Sequence, residues 1–255
     1  MTTTLVSRDD RVLHVEVMHV SMFAPLRWLA QGWADMHKSA SLGYGALIVA
    51  LGWTLLIFCG AHPYFVAAAI TGFLLVGPAM SAGLCELSRR YSLGQSASFD
   101  DSLEGFTRNS SALLEFGVIL AICAILWFGI SAVLLGTVFH IAAPDISETM
   151  YRGFIDSANR VQVLAYVAVG GVLAASVFAV SVVAIPLIID RQATAWQAMH
   201  ASVKAVFSNI PAMIVWSALI LILTIIGYAT LLGGLLIIAP LLGHATWHAY
   251  KGMIR

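Results

Sequence analysis

The sequence predicts an all-α membrane protein: a polytopic bundle of six transmembrane helices with amphipathic interfacial helices and an internal repeat. Of the 255 residues, 60% are hydrophobic and only 10% charged, with a mean hydropathy of +0.90, whereas soluble domains carry about 25% charged residues. Apolar runs of the length that crosses a hydrocarbon core, about 20 residues, recur along the chain. A proline-bearing design also recurs. One run meets Gly77-Pro78 and exits through Glu86, Arg89 and Arg90, a second meets Pro186 and exits through Asp190-Arg191, and a third meets Pro240 and exits through His248 and Lys251. Pro78 to Arg89 and Pro240 to Lys251 are both steps of eleven, and Pro78 to Glu86 and Pro240 to His248 both steps of eight.

The balance of 13 basic and 13 acidic residues gives no basic excess, so nucleic acid is not an expected partner. Cys59, Cys85 and Cys123 lie in or at the ends of apolar runs without a CxxC pair, which suggests buried thiols rather than disulfides or a zinc site. The first 41 residues include Asp9, Asp10, Glu16 and Asp35 and have no continuous apolar core. A cleavable signal peptide is not expected, and the first span should itself direct insertion.

In chain order, residues 1–41 form an amino-terminal segment and 42–255 the transmembrane domain. Leu13 to Val20 alternate apolar and polar side chains, a short strand-like pattern. From Pro25, Leu26, Leu29, Trp33 and Met36 share one helical face, and Trp28 and Trp33 are residues that favour the membrane–water interface. A helix lying on the membrane is expected there. The spans follow at 42–60, 63–85, 112–140, 161–189, 210–226 and 229–249. The third and fourth, at 29 residues each, exceed a core of about 30 Å at 1.5 Å per residue and must tilt or protrude.

Lys and Arg set the orientation. All 13 except Arg152 and Arg160 fall on one side, so both termini are placed in the cytoplasm of a bacterial inner membrane. An even number of spans requires the same.

The repeat has a second component at an offset of 100 residues. Phe99, Leu103, Phe106 and Asn109 correspond to Met199, Val203, Val206 and Asn209, with Asp100, Asp101, Glu104 and Arg108, or Gln197, His200 and Lys204, on the opposite face. These predict interfacial helices feeding spans three and five. Ala142 to Asn159 is expected to be an exterior loop.

His244 and His248, at i and i+4, can project from one helical face and are the candidate metal ligands, provided a further ligand comes from elsewhere. The alternative is an interfacial belt with Trp247, Tyr250 and Lys251. Near the membrane surface, Glu115 is expected to pair with Arg89, Arg90 or Arg108, and Asp190 to act as a cap or pair with Lys204. Pro78, Pro186 and Pro240 each kink a helix and free a carbonyl one turn upstream. Small-xxx-small pairs such as Ala68 with Gly72 and Gly171 with Ala175 suggest close helix packing. No nucleophile elbow, phosphate loop, HExxH or paired-carboxylate motif appears, so no enzyme activity and no resident cofactor are expected.

The motifs SLGYG at Ser41, GFLLVGP at Gly72, ELSRR at Glu86, IPLIIDR at Ile185, SVKAVFSN at Ser202 and PLLGHATWHAY at Pro240 resemble an uncharacterised family of bacterial integral membrane proteins, domain of unknown function 2189. Some members carry the label cytochrome c oxidase subunit I. Such a subunit has about twelve spans and several mid-membrane histidines, which this chain lacks, so the resemblance implies at most an accessory place beside a respiratory complex. The leading expectation is a non-enzymatic structural or accessory membrane protein whose partners are the lipid bilayer and a membrane complex or a second copy. A small-molecule or lipid transporter with a cavity between the proline-kinked spans is the alternative, and a haem- or metal-binding redox protein the third.

Overall fold

A computed structural model describes residues 15–38, 41–59, 81–138 and 160–255. Among these the chain is all-helical, and the only strand-like pairing is one antiparallel bridge between Val17 and Ile254. The helices are α1 (Ala24–Met36), α2 (Leu42–Cys59), α3 (described over 81–92), α4 (Phe99–Thr107), α5 (Ser110–Val138), α6 (Arg160–Ser181), α7 (Ala184–Arg191), α8 (Ala195–Ser208), α9 (Ile210–Ala229) and α10 (Leu235–Met253). Pro78, the outer part of the second predicted span and the predicted exterior loop lie outside the described residues.

Among the described residues, three stretches are long and apolar enough to cross a membrane: Ser110–Trp127, Val167–Arg191 and Ile210–Ala229. Leu42–Thr54 is a shorter apolar helix. Exposed Ile122, Ile125 and Leu126 on α5, Val169 and Val172 on α6, and Leu221, Ile222 and Ile225 on α9 form outward apolar surfaces of the kind only lipid tails or another apolar partner can cover.

The amphipathic helices α1, α4 and α8 gather at one end of the bundle, here the collar end. Both α4 and α8 start with complete capping boxes. Ser98 and Asp101 exchange side-chain and backbone bonds at the first, Thr194 and Gln197 at the second, so two otherwise unsatisfied donors are paired at each start. Asn209 caps the end of α8 and Asn109 follows Arg108, the cap residue of α4; both begin the next helix, their carbonyls accepting from Leu113 N and Met213 N.

The predicted faces of the collar helices need correction. Leu26 and Trp33 of α1 are exposed, but Trp28 and Met36 are buried, Trp28 meeting Trp216 edge-on at 5.8 Å. The inward sides are instead built from small residues. A Cβ on Gly32 would come within 2.7 Å of Ala245 N on α10, and Gly105 of α4 lies against Ala82 of α3. On α8 the buried side is Ala195, Ala198, Ala201 and Ala205 with Met199, while Trp196 and Phe207 point out. Small inward residues let these helices approach closely, which long side chains would prevent.

Two proline positions are resolved by neighbours. The helix breaks at Val182–Val183, just before Pro186, and the Ser202 hydroxyl of α8 enters the gap, donating to Ala179 O at 2.8 Å and accepting from Val183 N at 3.4 Å. A side chain inserted into the i→i−4 ladder is a recognised cause of such a break. Pro240 lies inside α10 and, lacking an N–H, donates no hydrogen bond to Leu236 O. Gly45 of α2 packs on that carbonyl so closely that any Cβ would collide with it. Gly171, by contrast, faces open space and Ala175 is exposed, so this predicted small-xxx-small pair does not mark a helix contact among the described residues.

Candidate functional site

The collar end gathers the buried polar side chains. Helix α1 places Asp35 on the same side as Trp28 and Gly32, so its carboxylate enters the protein and is 5% exposed. There Oδ2 accepts from Ser88 Oγ and His248 Nε2, both at 2.8 Å, and Oδ1 accepts from Lys38 Nζ at 3.1 Å. His244 lies one turn before His248 and is 0% exposed, with Nδ1 at 2.7 Å from Ser88 Oγ and Nε2 at 2.7 Å from Ser41 Oγ.

The donor directions follow from chemistry. A carboxylate only accepts, so the single Ser88 proton points to Asp35 and His244 Nδ1–H donates to Ser88. The neutral ring then accepts the Ser41 proton at Nε2. The result is a continuous chain, Ser41–His244–Ser88–Asp35–His248, joining the start of α2 to α10, α3 and α1. Burial alone pushes the Asp35 carboxyl upward, but the bonds from His248, Ser88 and Lys38 outweigh it and hold it at about 2, below its ordinary 3.8.

A second centre forms around Glu86, which is 0% exposed. Arg89 binds it through two parallel bonds, Nε to Oε2 at 2.8 Å and Nη2 to Oε1 at 2.7 Å. Arg90 Nε donates to Oε1 at 3.2 Å, and Arg108 Nε forms an ion pair with Oε2 at 2.8 Å. Arg90 is shared with Asp101 at 3.0 Å and Glu104 at 2.7 Å on α4. Three guanidinium groups thus compensate one carboxylate that could not be buried alone. Glu115, the expected partner of these arginines, is exposed on α5, and Glu86 takes that place.

The third centre lies where α7 meets α10. The Tyr250 hydroxyl donates to Asp190 Oδ2 at 2.6 Å and accepts from Arg191 Nε at 3.2 Å, while Lys251 lies 3.9 Å from the same carboxylate. Asp190 therefore reaches across to α10, and the expected pairing with Lys204 is replaced. Arg191 also binds the Arg255 carbonyl at 3.1 Å.

Asn109 and Asn209, related by the offset of 100, have parallel roles. Asn109 Nδ2 donates to Ala193 O at 2.9 Å, in the connection before α8. Asn209 Nδ2 donates to Met18 O at 3.0 Å and its Oδ1 accepts from Val20 N at 2.8 Å, in the segment before α1. That segment also pairs with the chain's last residues, Glu16 N to Arg255 O at 3.2 Å and Arg255 N to Glu16 O at 2.9 Å. The alternation at Leu13–Val20 thus corresponds, over its described part, to extended chain with a single bridge.

As a metal centre the His244/His248 pair is poorly provided. Both nitrogens of His244 are engaged by serine hydroxyls and His248 Nε2 by Asp35. Among the described residues no three His, Cys, Asp or Glu side chains are arranged to hold a metal ion. Asp35, Ser41 and Ser88 were not singled out as site residues by the sequence, and Tyr250 only as a member of an interfacial belt. The readable signal was Asp35, an acid on the same helical side as Trp28 and Gly32. Ser41 and Ser88 lie inside the motifs SLGYG and ELSRR.

Long apolar helices with outward hydrophobic surfaces, closed at one end by amphipathic helices over a buried polar layer, define an α-helical integral membrane protein. Residues 65–190 match the family described as Predicted integral membrane protein (DUF2189), the family that the sequence motifs resemble. No curated protein and no solved structure matches the chain.

Proposed function

We propose that this chain is a non-enzymatic six-span protein of a bacterial inner membrane, with both termini in the cytoplasm, serving as a structural or accessory component of a membrane assembly such as a respiratory complex. The observation that carries this reading is the internal pairing of the ionisable groups at the collar end. Glu86, Asp35, His244, Asp190 and the two asparagines are all engaged by partners within the chain, and a buried network so engaged rigidifies a fold rather than turning over a substrate; the buried Tyr91 hydroxyl and Trp247 Nε1, which have no hydrogen-bond partner among the described residues, stand outside that network. Six spans in three repeated units are supported by the order interfacial helix, outgoing helix, returning helix, which reads as α1–α2–α3, α4–α5–α6/α7 and α8–α9–α10. The orientation is supported by Arg89, Arg90, Arg108, Arg191 and Lys251 all belonging to the collar end.

Transport is the second reading, favoured by the discontinuity at Val182–Val183, since broken helices form substrate sites in many transporters. Against it, the Ser202 hydroxyl already occupies that break. Native mass spectrometry of the protein gently purified from its own membranes distinguishes the two. The accessory reading expects a stoichiometric partner chain. A bare chain with a retained lipid or small molecule favours transport, and a haem or metal mass overturns both.

A further inference from the structure

The outward sides of the collar helices differ in charge. On α8, Trp196, His200, Lys204 and Phe207 share one side at 3.6 residues per turn. All four are exposed, Trp196 by 74% and Phe207 by 68%. That stripe leads into exposed Ile210 and Ile214 at the start of α9, a helix long and apolar enough to cross a membrane. On α1 the exposed side carries Phe23, Leu26 and Trp33 with Arg27. The segment before α1 is tied to the end of α8. There His19 Nδ1 donates to the carbonyl of Ser208, one turn beyond Lys204, at 2.9 Å, and Val20 N donates to Asn209 Oδ1 at 2.8 Å.

We infer that the outward side of α8, continued by the exposed side of α1, is a docking surface for anionic phospholipid. Trp196, Phe207, Leu26 and Trp33 lie among the acyl chains, and Lys204 and Arg27 meet the headgroup phosphates. Charge complementarity carries the assignment. Residues 191–255 include no Asp or Glu, and between residues 17 and 85 the single acid, Asp35, is turned inward. No carboxylate among the described residues pairs with Lys204 or Arg27. Glu16, the one acid on the described approach to α1, has Arg255 as its backbone partner. Helix α4 has the same apolar design with the opposite charge, its exposed Phe99 and Leu103 standing beside Asp100 and Glu104, which repel an anionic headgroup. Basic residues at an anionic leaflet add to membrane affinity, and aromatic rings anchor at the same depth. Helices α8 and α1 supply both, whereas α4 supplies only the apolar half. Such docking requires only that the collar lie at the membrane surface, and holds for an accessory protein and a transporter alike.

Lipid on an exposed helix side exchanges with the bulk bilayer, so the test is made in the bilayer rather than after extraction. The full chain is reconstituted in phosphatidylcholine vesicles holding a trace of spin-labelled phosphatidylglycerol or of spin-labelled phosphatidylcholine. Electron paramagnetic resonance then reads the motionally restricted fraction of each. Phosphatidylglycerol should associate at least about threefold more strongly at low salt, and the preference should fall towards equality in about 1 M NaCl, which screens exposed charges. Combining Lys204→Gln with Arg27→Gln, both at exposed positions, should remove most of the preference while leaving the far-UV circular dichroism unchanged, and each substitution alone should remove part of it. Asp100→Asn on α4 should not reduce it. Equal association of the two lipids with the unmodified protein would overturn the docking surface and leave the basic side to an acidic protein partner. A preference that survives high salt, one unchanged by the two substitutions, or one lost equally through Asp100→Asn would also overturn it.

Discussion

The Ser202 hydroxyl takes the Val183 N–H at 3.4 Å, a donor whose own helical partner, Ala179 O, is bound by the same hydroxyl at 2.8 Å. One side chain on α8 thus bridges both sides of a break in the helix beneath it. Ser202→Ala leaves both backbone groups without that partner, in a region where water cannot readily replace it. The expected cost is about 1–3 kcal/mol, measured as a lower midpoint of thermal or denaturant unfolding in detergent. A stability unchanged from the parent would mean the break closes by itself.

Glu86 and Lys38 should separate buried from exposed ion pairing. Glu86→Gln leaves Arg89, Arg90 and Arg108 facing an uncharged group, and removing one side of a buried ion pair costs roughly 3–5 kcal/mol. Lys38 has a side chain 56% exposed, so Lys38→Ala should cost less than about 1 kcal/mol. Paired denaturant titrations of the two variants provide the comparison.

Acid should loosen α1 within a defined window. The Asp35 carboxyl is held at about 2 against 3.8 when unperturbed, so its bonds stabilise the folded chain fully above about pH 4. That contribution, about 2 kcal/mol, is lost as pH falls through the lower value. Asp35→Asn should flatten this part of a stability-against-pH profile. An identical acid slope in the variant would assign the loss to other carboxylates.

Two glycine substitutions should have opposite effects. Gly45→Ala drives a methyl into the Leu236 carbonyl and should destabilise by about 1–3 kcal/mol through forced separation of α2 and α10. Gly171→Ala meets nothing within 4 Å and should be neutral or stabilising by up to about 1 kcal/mol, since alanine is the better helix former. Melting temperatures of both in the same detergent decide it.

Chelation should leave the protein unchanged. With both His244 nitrogens and His248 Nε2 bound to side chains, EDTA is expected to shift neither the melting temperature nor the absorbance. A fall in melting temperature reversed by added zinc would restore the metal reading of the pair.

Much of the helical framework was legible because apolar run length and 3.6-residue periodicity are local properties. The periods around 24–36, 99–107 and 195–208 marked the collar helices, and Asn109 and Asn209, set in register by sequence, each donate to a backbone carbonyl in the segment before a collar helix. The faces were harder to assign. At a membrane boundary an apolar stripe such as Leu26 and Trp33 can meet lipid, so the protein-facing side is marked by small residues such as Gly32 and Gly105. Partners were not legible at all where they were distant. Asp35 and His248 are 213 positions apart, and nothing local to either selects the other over Lys204, Glu115 or a metal ion.

The dependence of the first described helix on the last has a consequence for how the protein is made. Translation delivers α1 to the membrane before any residue of α10 exists, and at about 5–20 residues per second the delay is on the order of tens of seconds. Throughout that interval Asp35 has no His248 and Gly32 no Ala245, so α1 must wait at the bilayer surface, held by the side that carries Leu26 and Trp33. A ribosome stalled before Leu235 would leave that helix undocked, which makes the arrival of α10 the step that docks α1.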